Sequence, residues 1–456
     1  MQKRPIQTIG GVEKMATANQ TMTTNVSSSK NKNKLSFISI YFLGINAIVG
    51  SGAFLLPQEI YKDMGVMSIA VLLCAAITVS MIALCYADLS SRFSGSGAAW
   101  LYSYNAFGKF TGFQIGLFSW FLGCLTLSAE AIALLRTLKN IFPIMGSETV
   151  KILFPASLII ILAVINMFGT SLVKLINSIS SAFKVFIILF FIVLGAFFIK
   201  STNFSPIVPS TVTDTHSFVS HFGSAFSVVF YMFSGFSFIP VAAAQMKNPE
   251  KNIPKALIYV MISVTVLYTL VQTVVIGILG KNIVNYDIPI AEAMKIGVGE
   301  WAYAIIIMGM LISIFGVAFA VSFSTPALAS SLAEEHNLLP PSIGKKNKYG
   351  APFVAVIMTS IISIAMTQFS YIFLVSCIVL VSFIQYVPSI LAVIKFKKNN
   401  QFPTNGFSLK GGYTVPVLAL GISMYLLTNF NLHVVLVMVL VFVLGVIVYF
   451  TKIKEK

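Results

Sequence analysis

Charged residues are scarce in this chain of 456 residues: Asp, Glu, Lys and Arg make up only 10% of it, and only 14 residues are acidic. Charged side chains supply about a quarter of an average soluble domain, so this composition excludes an ordinary soluble enzyme or binding module. The chain is instead 57% hydrophobic, with a mean hydropathy of +0.90. Continuous apolar runs of about 18 or more residues recur along it, which indicates membrane-spanning helices. The runs do not alternate with polar residues, as the strands of a β-barrel would.

Cysteine and histidine are also rare, with four of each. All four cysteines lie in apolar runs: Cys74, Cys85, Cys124 and Cys377. They are therefore predicted to be small hydrophobic side chains rather than a disulfide framework. His216 and His221 are five residues apart, a spacing that matches no zinc-binding helix motif. The sequence contains no visible nucleophile–base pair or ligand cluster, so we predict no enzymatic activity, no cofactor and no metal site.

The net charge of +16 comes from 30 Lys and Arg residues. Such an excess can indicate a nucleic-acid partner, but its placement indicates membrane topology instead. With twelve spans and a cytoplasmic N-terminus, most basic residues fall in cytoplasmic segments, including the loop from Lys345 to Lys348, as the positive-inside rule requires. We therefore predict that the protein has no nucleic-acid partner. We also predict that it contacts membrane lipid and that both its N- and C-termini are cytoplasmic.

The hydropathy pattern predicts an all-α polytopic membrane protein with 12 transmembrane helices. Residues 1–34 are polar and are predicted to form a disordered cytoplasmic tail without a cleaved signal peptide. Residues 35–396 hold helices 1–10, and residues 397–456 hold helices 11–12 and a short cytoplasmic C-terminus. The eighth span is expected to continue as helix through Glu334-Glu335-His336. The spans lie at roughly 37–61, 67–90, 111–138, 150–168, 178–199, 221–245, 256–279, 302–333, 352–367, 371–394, 413–428 and 432–451.

Two of these spans are interrupted by glycine and serine. Span one contains Gly50-Ser51-Gly52-Ala53-Phe54, and span six contains Phe233-Ser234-Gly235-Phe236-Ser237. A break at bilayer depth is tolerated only where it lines a cavity or is buried in protein. Paired broken helices in the two halves of a chain are typical of a transporter binding site. The odd spacing of five spans predicts a five-plus-five inverted repeat, with discontinuous helices 1 and 6 and two appended helices.

Four motifs make the chain resemble the amino acid–polyamine–organocation (APC) superfamily, and in particular its bacterial amino acid permeases. They are Gly50-Ser51-Gly52-Ala53-Phe54-Leu55-Leu56-Pro57, then Ser90-Ser91-Arg92-Phe93-Ser94-Gly95-Ser96-Gly97 with Tyr104-Asn105-Ala106-Phe107-Gly108, then Gly235-Phe236 with Lys247-Asn248-Pro249-Glu250-Lys251-Asn252-Ile253-Pro254, and Leu338-Leu339-Pro340-Pro341. The resemblance implies a leucine-transporter-like fold with a transport core at 35–396, a plasma-membrane location, and secondary transport of amino acids or related amines. Two-fold association is common in the superfamily, so a homodimer is one expected assembly.

The break in span one is the predicted carboxylate site. Its unwound turn exposes backbone N–H groups of Ser51, Gly52 and Ala53, which can receive a substrate α-carboxylate at the N-terminus of a half-helix. The alternative is a patch of small residues that packs helices together. The predicted substrate-binding residues of this span are Ile48, Gly50, Ser51, Gly52 and Ala53.

The break in span six is the predicted partner, because the resemblance places the substrate amino group on carbonyls there. Tyr231 and Phe233 are gate candidates, since a cation over a desolvated aromatic face gains about 1–2 kcal/mol. Ordinary packing is the alternative in a chain with 39 Phe. Ser234, Gly235 and Ser237 complete the predicted set. Relatives that handle arginine or polyamines often carry a carboxylate near the position of Ser237, so this serine disfavours a dicationic substrate.

Lys184 lies within span five, where a lysine at the helix centre costs about 2.5–3.5 kcal/mol on insertion scales. It resembles the span-five lysine of some bacterial relatives, whose ammonium takes the place of a sodium ion in sodium-coupled relatives. The resemblance implies sodium independence, with Lys184 either carrying the coupled proton or acting as a fixed charge. Snorkelling to the interface is the alternative. We expect the ammonium to lie near Asn46 of span one.

Glu130 in span three and three hydroxyls in span eight complete the candidates. Glu130 could pair with a substrate amine or transfer protons, and the alternative is a partly solvated interface position. Ser322, Ser324 and Thr325 resemble the hydroxyl region that faces span one, and the alternative is bonding to their own helix backbone. We assign Ser322 to the substrate, and Ser324 and Thr325 to coupling with Lys184.

These residues together predict a sodium-independent secondary amino acid transporter, proton-coupled or exchanging, for neutral α-amino acids. A cationic amino acid or polyamine antiporter is the alternative within transport. A membrane amino acid sensor and a membrane-embedded enzyme are the alternatives from other classes. A sensor usually carries a folded output domain and an enzyme needs a catalytic constellation, and neither is visible in the sequence.

Overall fold

The computed structural model describes residues 34–93, 97–168, 171–334, 337–399, 402–427 and 430–454. The predicted tail therefore lies outside the described residues except for Lys34. In the described part, the helix of span eight extends to Glu334. Residues 335–336 of its expected continuation lie outside the described residues.

The regular structure of the described residues is helical. Sixteen α-helices follow one another along the chain, with short 3-10 segments between some of them. They are α1 (Phe37–Ile48), α2 (Ser51–Leu55), α3 (Pro57–Met64), α4 (Ser68–Arg92), α5 (Ala99–Phe107), α6 (Lys109–Lys139), α7 (Glu148–Met167), α8 (Ser171–Gly195), α9 (Thr215–Phe233), α10 (Pro249–Leu279), α11 (Pro289–Gly297), α12 (Glu300–Glu334), α13 (Phe353–Met366), α14 (Tyr371–Lys398), α15 (Thr414–Leu427) and α16 (Leu432–Lys454).

Nine helical stretches in the described ranges are long and apolar enough to cross a membrane. Three shorter apolar helices, α1, α13 and α15, also occur at predicted spans. The all-helical, polytopic character predicted from hydropathy is therefore confirmed. The count of twelve spans and the inverted repeat stay predictions.

The first predicted break separates α1 from α2. Helix α1 ends at Ile48, because Val49 (φ −79°, ψ 93°) and Gly50 (φ −117°, ψ −150°) are extended. The chain is helical again from Ser51. Leu56 keeps right-handed helical dihedrals, and its N–H still donates to a carbonyl of α2 at 3.2 Å. Helices α2 and α3 therefore act together as one half-helix whose N-terminus points at the break.

The second predicted break lies after α9. Ser234 is extended, and Gly235 has a left-handed conformation with φ of 106°, which favours glycine. A Cβ atom on Gly235 would collide with the carbonyl oxygen of Ala47 at the end of α1. The two breaks therefore meet in space, and the chain continues as the 3-10 helix Phe236–Gln245.

Two short helices occupy regions where the sequence pattern predicts loops. Helices α5 and α11 have nine residues each, too short to span a bilayer. Helix α5 packs against α6 and α14, and α11 packs against α2 and α3. Helix α11 is therefore in contact with the half-helix that begins at the first break.

Helix α12 organises the middle of the bundle, because both α6 and α8 pack along it. Small residues let the backbones approach closely: a Cβ on Gly309 would collide with Ile187, and one on Gly123 would collide with Thr325. The same helix thereby holds α6, which carries Glu130, and α8, which carries Lys184.

Candidate functional site

Ser51, the first residue of α2, lies at the centre of a buried polar cluster. Its hydroxyl donates to Glu130 Oε1 at 3.0 Å and lies 2.9 Å from the Tyr371 hydroxyl and 3.3 Å from the Tyr231 hydroxyl. The Ser51 backbone N–H also points at Glu130 Oε1, at 3.3 Å. Because the serine proton goes to the carboxylate, the tyrosine hydroxyls act as donors to Ser51 Oγ. We call these four residues the Ser51 cluster.

Glu130 occupies the position predicted for a substrate carboxylate. An anion is stabilised at a helix N-terminus by unpaired N–H groups and by the helix dipole. A Cβ on Gly50 would lie 2.7 Å from Glu130 Oε1, so the glycine leaves room for the carboxylate. Glu130 is only 2% exposed, and its Oε2 has no hydrogen-bond partner among the described residues. The partly solvated alternative for Glu130 is therefore wrong.

Lys184 is fully buried, so the snorkelling alternative is also wrong. Its Nζ donates to Asn46 Oδ1 at 2.7 Å and to the Asn46 carbonyl oxygen at 3.2 Å. The expected neighbour is present, and both its side-chain and backbone oxygens compensate part of the burial cost. Asn46 lies just before the first break, so the ammonium ties α8 to the end of α1.

Ser322 bonds to Asn166 of α7, whereas the resemblance to the superfamily predicted that it faces span one. It accepts a hydrogen bond from Asn166 Nδ2 at 3.0 Å and donates to the Phe319 carbonyl oxygen at 2.8 Å. Asn166 in turn lines a cavity of about 260 Å³ that also contacts the segment around Lys346. Ser322 therefore points toward α7, away from the Ser51 cluster.

The prediction that Ser324 and Thr325 bond to Lys184 is wrong: in the described part of the chain, the hydrogen bonds of Lys184 Nζ go to Asn46. Ser324 donates to the carbonyl oxygen of Val321 in its own helix, at 3.5 Å. Thr325 Oγ1 is buried without a partner among the described residues, at the crossing with Gly123. Ser324 therefore bonds to the backbone of its own helix, as the stated alternative expects. Thr325 packs at a helix crossing.

Tyr231, one of the two predicted gate candidates, lies beside the first break. A Cβ on Gly52 would be 3.0 Å from Tyr231 Cε1, so the tyrosine ring packs directly on this glycine. The Tyr231 and Tyr371 rings meet edge to face with centroids 6.4 Å apart. Ala53 follows Gly52 on the same half-helix and is 1% exposed. The two tyrosine rings of the Ser51 cluster thus pack against each other beside the break.

Phe233 lies outside the Ser51 cluster and packs on Tyr268, with ring centroids 5.3 Å apart. The Tyr268 hydroxyl donates to the carbonyl oxygen of Ile48 at 3.2 Å, which satisfies a group that the first break leaves unpaired. Phe233 therefore supports the break rather than the cluster. The other predicted residues of span six, Ser234, Gly235 and Ser237, lie at or just after the second break.

Sequence reasoning missed Tyr371 and Tyr268. Tyr371 is the first residue of α14, where an aromatic residue is ordinarily an interfacial anchor. Tyr268 lies within an apolar helix, and a buried tyrosine hydroxyl needs a partner, which was a usable signal. Their contacts with Ser51 and Ile48 depend on helix packing that no local pattern specifies.

The chain is similar in sequence to one protein family and to several individual transporters. A family profile described as amino acid permease matches residues 35–449. The branched-chain amino acid permease BcaP of Bacillus subtilis (strain 168) is 23% identical over 444 residues, which cover 92% of each chain. The methylthioribose transporter of the same organism is 26% identical over 470 residues, covering 98% of this chain and 96% of the relative. Cationic amino acid transporter 9, chloroplastic, of Arabidopsis thaliana is 31% identical over 299 residues, covering 61% of this chain and 51% of the relative.

Gly52→Val is expected to abolish amino acid binding while leaving expression largely intact. The valine branches would press against the Tyr231 ring, one carbon of which already lies 3.0 Å from a Cβ at this position, and would block close approach of a ligand to the backbone. Binding to the purified variant measures this. Gly421→Val in α15 is the matched control, because a Cβ there meets nothing within 4 Å. Wild-type affinity in the Gly52→Val protein would show that the break is not the site.

Proposed function

Because the chain belongs to the amino acid permease family, we propose that it carries neutral α-amino acids across the plasma membrane without sodium, by proton symport or exchange. The family and the relatives support an amino acid transporter rather than an enzyme. The single observation that carries the finer proposal is the Glu130 carboxylate on the N–H and hydroxyl of Ser51. This contact supports the proposal that the N-terminus of the half-helix can bind a substrate carboxylate.

The substrate carboxylate would take over the donors that Glu130 uses. The Ser51 N–H and hydroxyl lie within reach of one carboxylate oxygen, at 3.3 and 3.0 Å. The same donors cannot serve two carboxylates at once, and two anions this close in a buried site repel each other. Substrate binding would therefore require Glu130 to withdraw or to take up a proton. That requirement links substrate binding to protonation.

Lys184 would supply the second half of the coupling. Its ammonium holds Asn46, next to the break, while Glu130 holds Ser51 on the other side of the break. Both groups are buried, so a change of charge on one would change the stability of the other. In this proposal, Glu130 is the group that exchanges with the substrate, and Lys184 is the group that keeps α1 attached to α8.

The substrate charge is proposed from Ser237, which supplies no carboxylate at the second break, and from the branched-chain cargo in the name of BcaP. A cationic amino acid remains a second candidate. It is favoured by Glu130 Oε2, which is buried without a partner among the described residues and would accept from a second amine. The Arabidopsis relative, whose name specifies cationic amino acids, also supports this candidate.

Neutral α-amino acids are expected to compete for uptake better than agmatine or putrescine. The half-helix N–H groups need an anion, and a decarboxylated amine offers none. Competition against a labelled mixture of amino acids in proteoliposomes measures the difference, with counterflow separating a transporter from a sensor. Strong competition by agmatine or putrescine would instead favour a polyamine antiporter, and stronger competition by arginine than by neutral amino acids would favour a carrier of cationic amino acids.

Lys184→Ala is expected to abolish or strongly impair uptake, because α1 loses the charge that ties it to α8. Lys184→Arg is not expected to restore full activity, since guanidinium is larger and does not release its proton in proteins. Uptake in sodium-free buffer, with and without an inward proton gradient, is the measurement. The control is Lys151→Ala, on an exposed lysine whose ion-pair partner in the described structure is Glu148. An absolute requirement for sodium in the wild-type protein would contradict the assignment.

A further inference from the structure

Helix α11 covers the half-helix of the first break and is anchored at one end by an ion pair. Asp287 lies two residues before α11, and its Oδ1 is 3.6 Å from Arg136 Nη2. Arg136 lies in the last turn of α6, the helix that also carries Glu130. The ion pair therefore connects the covering helix to the helix that holds the Ser51 cluster.

Arg136 makes a second contact, with a member of that cluster. Its guanidinium carbon lies 5.4 Å from the centroid of the Tyr371 ring, at cation–π distance. The hydroxyl of the same ring lies 2.9 Å from Ser51 Oγ. Tyr371 is 3% exposed, so its ring separates the buried hydroxyl from the partly exposed guanidinium.

We propose that Arg136 is a positioning residue that couples closure of α11 to the Ser51 cluster. When α11 lies on the half-helix, Asp287 holds the guanidinium over the Tyr371 ring, and the ring holds its hydroxyl on Ser51. When α11 lifts, Asp287 leaves, the guanidinium is no longer fixed, and Tyr371 is released from Ser51. This inference rests on the proposed function, in which the Ser51 donors bind the substrate carboxylate. It adds that the substrate enters from the outer side, which α11 covers under the predicted topology.

The exposure of the ion pair suits a contact that opens in each cycle. The Arg136 side chain is 25% exposed and that of Asp287 is 49% exposed. Water competes for exposed ion pairs, so such a pair contributes little and opens readily. Arginine is the suitable cation, because its planar guanidinium can stack on a ring while its edge meets a carboxylate.

The chain contains a matched control for this arrangement. Lys295, near the end of α11, pairs with Glu300 at 3.1 Å and lies 5.1 Å from the centroid of the Tyr303 ring. A cation, an acid and an aromatic ring therefore meet here as well, with lysine and glutamate in place of the arginine and aspartate of the proposed contact. No hydrogen bond joins Tyr303 to the Ser51 cluster among the described residues.

Labelling of a single cysteine tests the proposal without a transported substrate. Ala53→Cys, in a protein whose four native cysteines are replaced, places a thiol on the covered half-helix. An impermeant thiol reagent is applied to the outer side of intact cells, and the labelling rate is measured. Adding Arg136→Gln or Asp287→Asn is expected to raise the rate about fivefold, the scale of one exposed ion pair with its cation–π contact. Lys295→Gln is expected to leave the rate unchanged.

The double variant Arg136→Gln with Asp287→Asn is expected to label no faster than either single variant, because both changes open one contact. Arg136→Lys keeps the charge but not the planar stack, so an intermediate rate is expected. Equal rates for Arg136→Gln and Lys295→Gln, or additive effects in the double variant, would overturn the proposal. Absence of amino acid uptake by the wild-type protein would instead overturn the proposed function and leave these rates interpretable.

Discussion

The arrangement of this protein depends on one interaction, the hydrogen bonds from the Ser51 N–H and hydroxyl to the Glu130 carboxylate. A break in a membrane helix leaves backbone groups unpaired, and lipid offers them no partner. Glu130 satisfies the N-terminus of the half-helix that follows the first break, and the Tyr268 hydroxyl satisfies the carbonyl of Ile48, which precedes the break. The break is therefore stable because neighbouring helices supply the partners that its own helix has lost.

The surrounding structure follows from keeping these partners in place. Helix α12 packs against both α6 and α8, so Glu130 and Lys184 reach the same break from two sides. Gly235 lets the second break approach the end of α1. The buried charges are costly, and such residues in membrane segments ordinarily mark a pathway for ions or substrate. The cost is consistent with a site that changes its protonation or its partners during transport.

Local sequence patterns were sufficient for the long apolar helices and for both breaks, because glycine and serine interrupt the apolar runs at Gly50 and Gly235. The resemblance to the superfamily, rather than helical periodicity, placed Lys184 beside Asn46. Local patterns were insufficient for Ser322, Ser324 and Thr325, since the direction of a hydroxyl depends on helix rotation. The contact of Tyr371 with Ser51 and the presence of helix α11 were missed for a similar reason. A residue at a helix end and a short helix both depend on packing against distant parts of the chain.

Of the two ways in which Glu130 can free the Ser51 donors, proton uptake is the one that couples the substrate to a proton gradient, and we propose that Glu130 uses it. Glu130→Gln keeps an oxygen that can accept from Ser51 but cannot ionise. In sodium-free proteoliposomes, the account predicts that this variant exchanges amino acids yet no longer accumulates them under an inward proton gradient. Glu148→Gln, at an exposed glutamate, should behave like the wild-type protein. Accumulation by Glu130→Gln at the wild-type level under the same gradient would contradict the account.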